Sequence, residues 1–178
     1  AVRSMLIGIG LYGLLAGSAT GGPSSPVGAD SGVKAAPTAT KADSERVDKA
    51  IKAVVKIRAK ALPNARSLAT LGAQREGSGI VVGANGLVLT IGYLIVEAET
   101  IELENGEGKL VPATTVAYDH TTGFGLVRAL APLGVASIQL GNSADLAEND
   151  TVIFAAAGGI DAASSAMVVS RRRFAGYW

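Results

Sequence analysis

"GSGIVVGANGLVLTIGYLIVEAETIEL", residues 77–103, is the stretch that decides the fold. Two apolar runs, 78–82 and 87–90, flank the sequence Gly-Ala-Asn-Gly. Asn-Gly between apolar runs is a strong hairpin signal, because both residues tolerate the positive φ angles of a tight turn. The stretch therefore predicts two antiparallel β-strands joined at Asn85-Gly86.

The same arrangement recurs further along the chain. Predicted strands 100–103 and 109–118 flank Asn105-Gly106. Short apolar segments bounded by turn residues then follow at 124–130, 136–141, 151–157 and 166–174. Strands at this spacing, with almost no helix, indicate an antiparallel barrel or sandwich. The predicted fold class is all-β.

The segment before the hairpin predicts one helix and one strand. Asp43 and Ser44 are candidate caps for a short helix, because apolar residues follow them at helical spacing. From residue 54 the pattern changes to strict alternation, with Lys56, Arg58 and Lys60 on one face of a half-exposed strand. Residues 63–76 are predicted to form a long loop or an irregular hairpin.

The N-terminal residues have a different composition. Arg3 precedes an apolar run over 5–16, and small residues follow at 17–19, which is the order found in secretory signal peptides. The run is shorter than the roughly 20 residues of a spanning helix, although an uncleaved membrane anchor is the alternative for 1–19. Residues 20–42 are rich in Gly, Pro, Ser, Ala and Thr and predict a disordered linker. An exported protein, periplasmic or extracellular, is expected.

Charge and composition exclude several kinds of function. The net charge is +1 and 17% of the residues are charged, so no strong field favours nucleic acid. The absence of cysteine excludes disulfides, thiolate zinc sites and a cysteine nucleophile. One histidine and no clustered carboxylates argue against a metal site. No cofactor is expected, and the sequence leaves the oligomeric state open.

The order of motifs over residues 76–129 resembles the first barrel of trypsin-like serine proteases of the HtrA/DegP type. In that family a Gly-Ser-Gly strand leads into "LTNAHVV", a "V-L-x-D-G" hairpin and "D-x-x-T-D-L-A-L-L". Here "LTIGYLI", "IELENGEGKLVPATTV" and "DHTTGFGLV" stand in those places. The resemblance extends over about 54–174. It implies a double antiparallel β-barrel, complete at 43–130 and partial at 131–178, in a chain truncated at its C-terminus.

Two departures from the family pattern concern catalysis. The histidine position is Tyr93 and the aspartate position is Gly123. In the family's chemistry, histidine takes the proton of the serine nucleophile and aspartate orients the imidazole. Tyrosine, with a pKa near 10, is a poor base at neutral pH, and glycine has no side chain. The family's "GxSGG" nucleophile motif does not occur in the sequence. No catalytic residue is therefore predicted.

The other polar candidates have structural explanations. His120 is predicted to be a surface turn residue, and Asp119 matches the structural aspartate of the family loop. Ser143, in "LGNSADL", is expected to cap or turn, and Ser164 and Ser165 are expected in a polar loop.

The last motifs give no better candidate. Gly158-Gly159 lacks the lysine and the helix of a phosphate loop. Arginines 171–173 with aromatic residues at 174, 177 and 178 have the composition of a base-stacking patch. Alternating strand residues are the preferred interpretation of this segment.

The sequence thus favours a non-catalytic HtrA-like domain that binds extended peptides or a partner protein. The alternative is an HtrA-type serine endopeptidase whose nucleophile lies beyond residue 178. A partial product without independent function is a third hypothesis. Tyr93 is expected to fill the space of the missing imidazole, with Gly123 making room for its ring.

Overall fold

The computed structural model describes residues 41–172, so the predicted leader 1–19 and most of the predicted linker 20–42 lie outside the described residues. Helix α1 spans Lys41–Lys52 and begins two residues before the predicted cap at Asp43. It buries Ala50 and Ile51, and its last turn carries Lys49 and Lys52, where positive charge favours the helix dipole. Within 41–172 no helix is both long and apolar enough to cross a membrane.

Beyond α1, the described residues form mostly strands, with one further short helix and three 3-10 turns. In chain order the elements are β1 Val54–Ala61, α2 Leu68–Leu71, β2 Gln74–Gly83, β3 Leu87–Ile91, a turn at Gly92–Leu94, β4 Ala98–Glu104, β5 Leu110–Tyr118, β6 Phe124–Ala129, a turn at Ser143–Asp145, β7 Thr151–Ala155, a turn at Gly159–Ala162 and β8 Ala163–Met167.

The first six strands close into an antiparallel barrel in the order β1-β2-β3-β6-β5-β4. The hairpin at Asn85-Gly86 joins β2 to β3, and Gly86 takes the positive φ of 73° that the turn requires. Closure pairs every strand of this sheet on both sides, so the barrel has no open edge. The predicted all-β fold with a complete first barrel is confirmed.

The barrel core is built from aliphatic residues of small and medium size. The buried residues in it are all Ala, Val, Ile or Leu, and Ile57 of β1 and Leu103 of β4 are fully buried. On the outer face of β1 the predicted solvated residues form ion pairs with neighbouring strands: Lys56 with Glu76 at 2.8 Å, and Arg58 with Glu104 at 2.7 Å. Exposed pairs of this kind contribute about 0–1 kcal/mol each, so aliphatic burial dominates the stability of the barrel.

The segment between the barrel and β7 contains no strand at 136–141, and the prediction of one is wrong. β1 pairs along β2 as far as Ile80, and β3 covers the other side of β2. At 136–141 one backbone hydrogen bond to β2 is formed, in which the Ile138 amide donates to the Val81 carbonyl oxygen at 2.9 Å.

β7 and β8 form a two-stranded antiparallel sheet, which is the described part of the second barrel. β8 begins and ends earlier than predicted, because its register pairs Ala163 with Ala155 and Met167 with Thr151. Two predictions are corrected by this register. Ser164 and Ser165 lie in a strand and not in a loop, whereas the exposed residues 171 and 172 lie beyond the strand.

Candidate functional site

The structure places Tyr93 and Gly123, the two departures from the family pattern, next to each other. Tyr93 lies in the 3-10 turn that follows β3, and Gly123 immediately precedes β6. β3 and β6 are neighbours whose register ends at Ile91 opposite Phe124. The Gly92 amide donates to the Gly123 carbonyl oxygen at 2.7 Å. Strand pairing therefore brings the predicted positions together, although the residues present there are not those of a triad.

The Tyr93 side chain is half-buried and packs against the barrel core. Burial raises the pKa of its hydroxyl above the ordinary value of 10.0, because ionisation would place a charge in a poorly solvated position. The phenol is accordingly neutral at physiological pH. It can donate a hydrogen bond there, but it cannot remove a proton from a serine.

A second tyrosine, Tyr118, lies against the residue that precedes Tyr93. A Cβ atom built on Gly92 would lie 1.7 Å from Cε2 of Tyr118 and 3.0 Å from the carbonyl oxygen of Gly123. The Tyr118 ring therefore covers Gly92, a contact that only glycine permits. Sequence reasoning missed this residue. The register that sets Tyr118 opposite Gly125 depends on the pairing of β5 with β6, and no local pattern reveals it.

Gly123 has a conformational reason for being glycine. Its φ is 73°, in the left-handed region that residues with a side chain rarely adopt. The sequence predicts a steric reason for the glycine at 123, namely the space that the ring of Tyr93 needs. The ring that the structure places beside Gly92 is that of Tyr118, so the steric hypothesis for Tyr93 and Gly123 stays a prediction.

The turn between β5 and β6 is held by Asp119. Its carboxylate accepts hydrogen bonds from the Thr122 hydroxyl at 2.7 Å and the Thr121 amide at 2.9 Å. These bonds, that of the Thr122 side chain first, lower the pKa of Asp119 below its ordinary value of 3.8. The carboxylate is thus occupied by its own turn, which agrees with the structural role expected of it.

His120 lies in the same turn, with its ring against that of Tyr118. The two ring centroids are 4.3 Å apart at an interplanar angle of 75°, an edge-to-face contact. The imidazole is thus separated from Gly92 by the Tyr118 ring. The arrangement presents an aromatic surface beside position 93.

The predicted serine and glycine candidates lie in other elements. Ser143 opens a 3-10 turn whose cap is Asn142, since the Asn142 side chain accepts from the Ala144 amide at 3.1 Å. Ser164 and Ser165 pair with residues 154 and 153 of β7. Gly158 and Gly159 form a turn with φ of 135° and 73°.

One groove lies away from position 93. It has a volume of about 640 Å³ and runs between α1, the β4–β5 turn and residues 134–136, with Ile51, Val135 and Ile160 in its lining. Neither Tyr93 nor Tyr118 lines it. In the part of the chain that the structure describes, no three His, Cys, Asp or Glu side chains are grouped as a metal site would require.

Among the described residues no strand pairs with the outer side of β8, so the β7–β8 sheet has an open edge there. The Val168 amide donates to Asp150 and its carbonyl oxygen accepts from Asn149, so the backbone of Val168 faces β7. Strand alternation then directs the backbone groups of Ser165 and Met167 away from β7. Apolar side chains are exposed on this sheet and just after it, at Phe154, Met167 and Val169.

Comparisons with known proteins agree on one family. A family model described as a trypsin-like peptidase domain matches residues 77–177, more than half of the chain. A serine protease, PepD, of Mycobacterium tuberculosis (strain ATCC 25618 / H37Rv) is 32% identical over 111 residues, which are 56% of this chain and 24% of PepD.

A solved structure supports the fold. It is a serine-to-alanine variant of the HtrA-type protease AlgW with a tripeptide, and it matches with a TM-score of 0.51 at 19% identity. The match covers 61% of this chain and 32% of that chain. This chain thus spans about a quarter of the curated relative and about a third of the solved structure.

Proposed function

Because this chain belongs to the trypsin-like peptidase domain family and is of the HtrA type, we propose that it is a catalytically inactive member that binds extended polypeptides or a partner protein. The observation that carries the proposal is that strand pairing sets the turn with Tyr93 against Gly123, where the family pattern has histidine and aspartate. The Gly92–Gly123 hydrogen bond of 2.7 Å sets the residue before Tyr93 against a glycine that has no carboxylate. Without base and orienting group, the acyl transfer chemistry of the family has no means of activating a serine.

Binding of extended polypeptide follows from the open edge of the β7–β8 sheet. An added strand forms main-chain hydrogen bonds with the outward backbone groups at Ser165 and Met167, and this mode does not depend on a triad. Charged residues and proline usually protect an edge strand from pairing with another strand. The segments 151–160 and 162–170 contain neither. The exposed side chains of Phe154 and Met167 favour an apolar peptide.

Active-serine labelling tests the loss of catalysis. The chain is treated with a fluorophosphonate probe beside an active trypsin-like protease. No labelling of this chain and full labelling of the control are expected. Labelling of any serine in this chain at a rate near that of the control would refute the proposal.

Peptide binding is tested separately, by fluorescence anisotropy with labelled apolar peptides. Ser165→Pro removes an outward amide donor at the edge, so we expect it to weaken binding by at least about tenfold, the effect of roughly 1.4 kcal/mol. Ser165→Ala keeps the amide and is the matched control, with unchanged affinity. Equal affinities in the two variants would place the peptide elsewhere.

A second candidate is an HtrA-type serine endopeptidase whose nucleophile lies beyond residue 178. It is favoured by the length of the relative named PepD, a serine protease of which this chain covers 24%. Labelling of the product of the complete gene distinguishes the two candidates, since only the endopeptidase reacts. Export to the periplasm or the cell exterior is part of both proposals and rests on the leader-like residues 1–19.

A further inference from the structure

A buried arginine lies behind Tyr93. Arg75, in β2, is only 4% exposed. Its Nη1 donates to the carbonyl oxygens of Tyr93 at 3.0 Å and Val96 at 2.6 Å, and its Nη2 donates to the Ser67 hydroxyl at 2.7 Å. A buried charge is tolerated only where such bonds satisfy it, and the planar guanidinium fixes their directions. Arg75 thereby holds the main chain at Tyr93 to a distant part of the sequence.

The second half of this network is Glu97. Its carboxylate accepts from the amides of Ser67 at 2.8 Å and Arg66 at 3.2 Å. Its carbonyl oxygen accepts from the Leu62 amide at 2.9 Å. Glu97 adopts a φ of 52°, which is unusual for a residue with a side chain and persists only when surrounding contacts impose it. Contacts with residues 62–67 therefore fix the conformation of the chain just after the Tyr93 turn.

Ser67 joins the two halves, because its hydroxyl accepts from Arg75 while its amide donates to Glu97. We name Arg75, Ser67 and Glu97 the arginine clamp. The clamp connects segment 62–73, between β1 and β2, with segment 92–97. Segment 62–73 buries Ala65 but leaves Leu62 and Leu71 exposed, so these polar bonds are among its main contacts with the barrel.

We propose that the arginine clamp couples segment 62–73 to position 93, so that Arg75 is a positioning residue through which the conformation of segment 62–73 sets that of the Tyr93 turn. The inference does not depend on the peptide binding proposed above, because the coupling is a property of the free protein. A clamp that acted only on global unfolding would instead change the protection of the whole barrel evenly.

Amide hydrogen exchange by NMR separates these two cases. The wild-type protein is compared with Ser67→Ala, which removes only the hydroxyl. It is also compared with Arg75→Lys, which keeps the positive charge but loses the planar guanidinium and its several donors. The amides to follow are those of Gly92 and Val96, which are hydrogen-bonded to Gly123 and Gly92. Their exchange is expected to rise about five- to tenfold in each variant, the effect of losing one hydrogen bond.

The core amide of Val88 serves as the internal reference and is expected to keep its wild-type rate. Arg58→Lys is the matched control variant, because it alters an arginine of the outer face of β1 that is paired with Glu76 and Glu104. It should leave Gly92 and Val96 unchanged.

Two results would overturn the proposal. One is unchanged exchange at Gly92 and Val96 in Ser67→Ala, and the other is an equal rise at Val88, which indicates uniform destabilisation. The readout uses no peptide, so a failure of the proposed peptide binding does not affect it. Ser67→Ala is mild enough to preserve the fold if Arg75→Lys does not.

Discussion

Substituting Gly92 by alanine tests the packing of Tyr118 at the site. The added Cβ atom would lie 1.7 Å from Cε2 and 2.2 Å from Cδ2 of the Tyr118 ring, far inside van der Waals contact. The φ of Gly92 is not among the positive values of the chain, so the backbone itself accepts alanine. The expected loss of stability therefore comes from the displaced ring.

The magnitude depends on how far that ring can move. Tyr118 is 36% exposed and can rotate towards solvent, but the Gly123 carbonyl oxygen, 3.0 Å from the added atom, is main chain and cannot yield as easily. Overpacking of this kind costs about 1–3 kcal/mol. A lower entropy of the unfolded chain offsets about 0.4–1 kcal/mol of that. A net loss of about 1–2 kcal/mol is expected, or roughly 2–8 °C in the melting temperature.

Urea denaturation of a double-mutant cycle measures the effect. Gly92→Ala is combined with Tyr118→Ala, and in the absence of the ring the alanine at 92 is expected to cost clearly less, because only the 3.0 Å contact with the Gly123 carbonyl oxygen remains. Gly106→Ala is the matched control, because no atom lies within 4 Å of a Cβ built there. If Gly92→Ala is as neutral as Gly106→Ala, or if Tyr118→Ala fails to rescue it, the packing argument is wrong.

Three further predictions concern titration and catalysis. Burial raises the pKa of Tyr93 above 10.0, so the tyrosine ionises first in the unfolded state. The free energy of unfolding should therefore fall as the pH rises above 10. In urea titrations Tyr93→Phe should lose less stability over the same pH range. The Ser67 hydrogen bonds, that of its side chain first, lower the pKa of Glu97 below 4.5. The contribution of the Glu97 carboxylate to the free energy of unfolding should therefore be complete above pH 4.5 and vanish as the pH falls through its pKa in the folded state. In urea titrations the stability of Glu97→Gln should depend less on pH in this acidic range. The double variant Tyr93→His, Gly123→Asp is expected to cleave no unfolded substrate on gels, and cleavage above the wild-type background would mean that the remaining machinery is present.

Much of the barrel could be predicted from the sequence because its signals are local. Asn85-Gly86 marks a hairpin through backbone conformation, and the alternation over β1 shows which of its faces is buried. Position 93 was found in the same way, since it follows a strand and a motif of fixed spacing. These signals need no knowledge of which strands become neighbours.

The rest depends on register and on long-range contacts. Arg75 reads in the sequence as an ordinary charged residue near a strand end, and its burial follows from carbonyl groups 18 and 21 residues away. The strand predicted at 136–141 has suitable composition, but β2 has no free side to pair with it along its length. Tyr118 was missed because only the pairing of β5 with β6 brings it to Gly92.

Residues 93 and 123 differ from the histidine and aspartate of the family pattern, and the barrel is nevertheless closed. Its buried core is aliphatic throughout, including Leu94 and Ile95 beside Tyr93, and contains neither histidine nor aspartate. The two glycines have roles of their own, Gly92 beneath the Tyr118 ring and Gly123 at a φ of 73°. Restoring a histidine at 93 therefore leaves Gly123 in a conformation that disfavours aspartate.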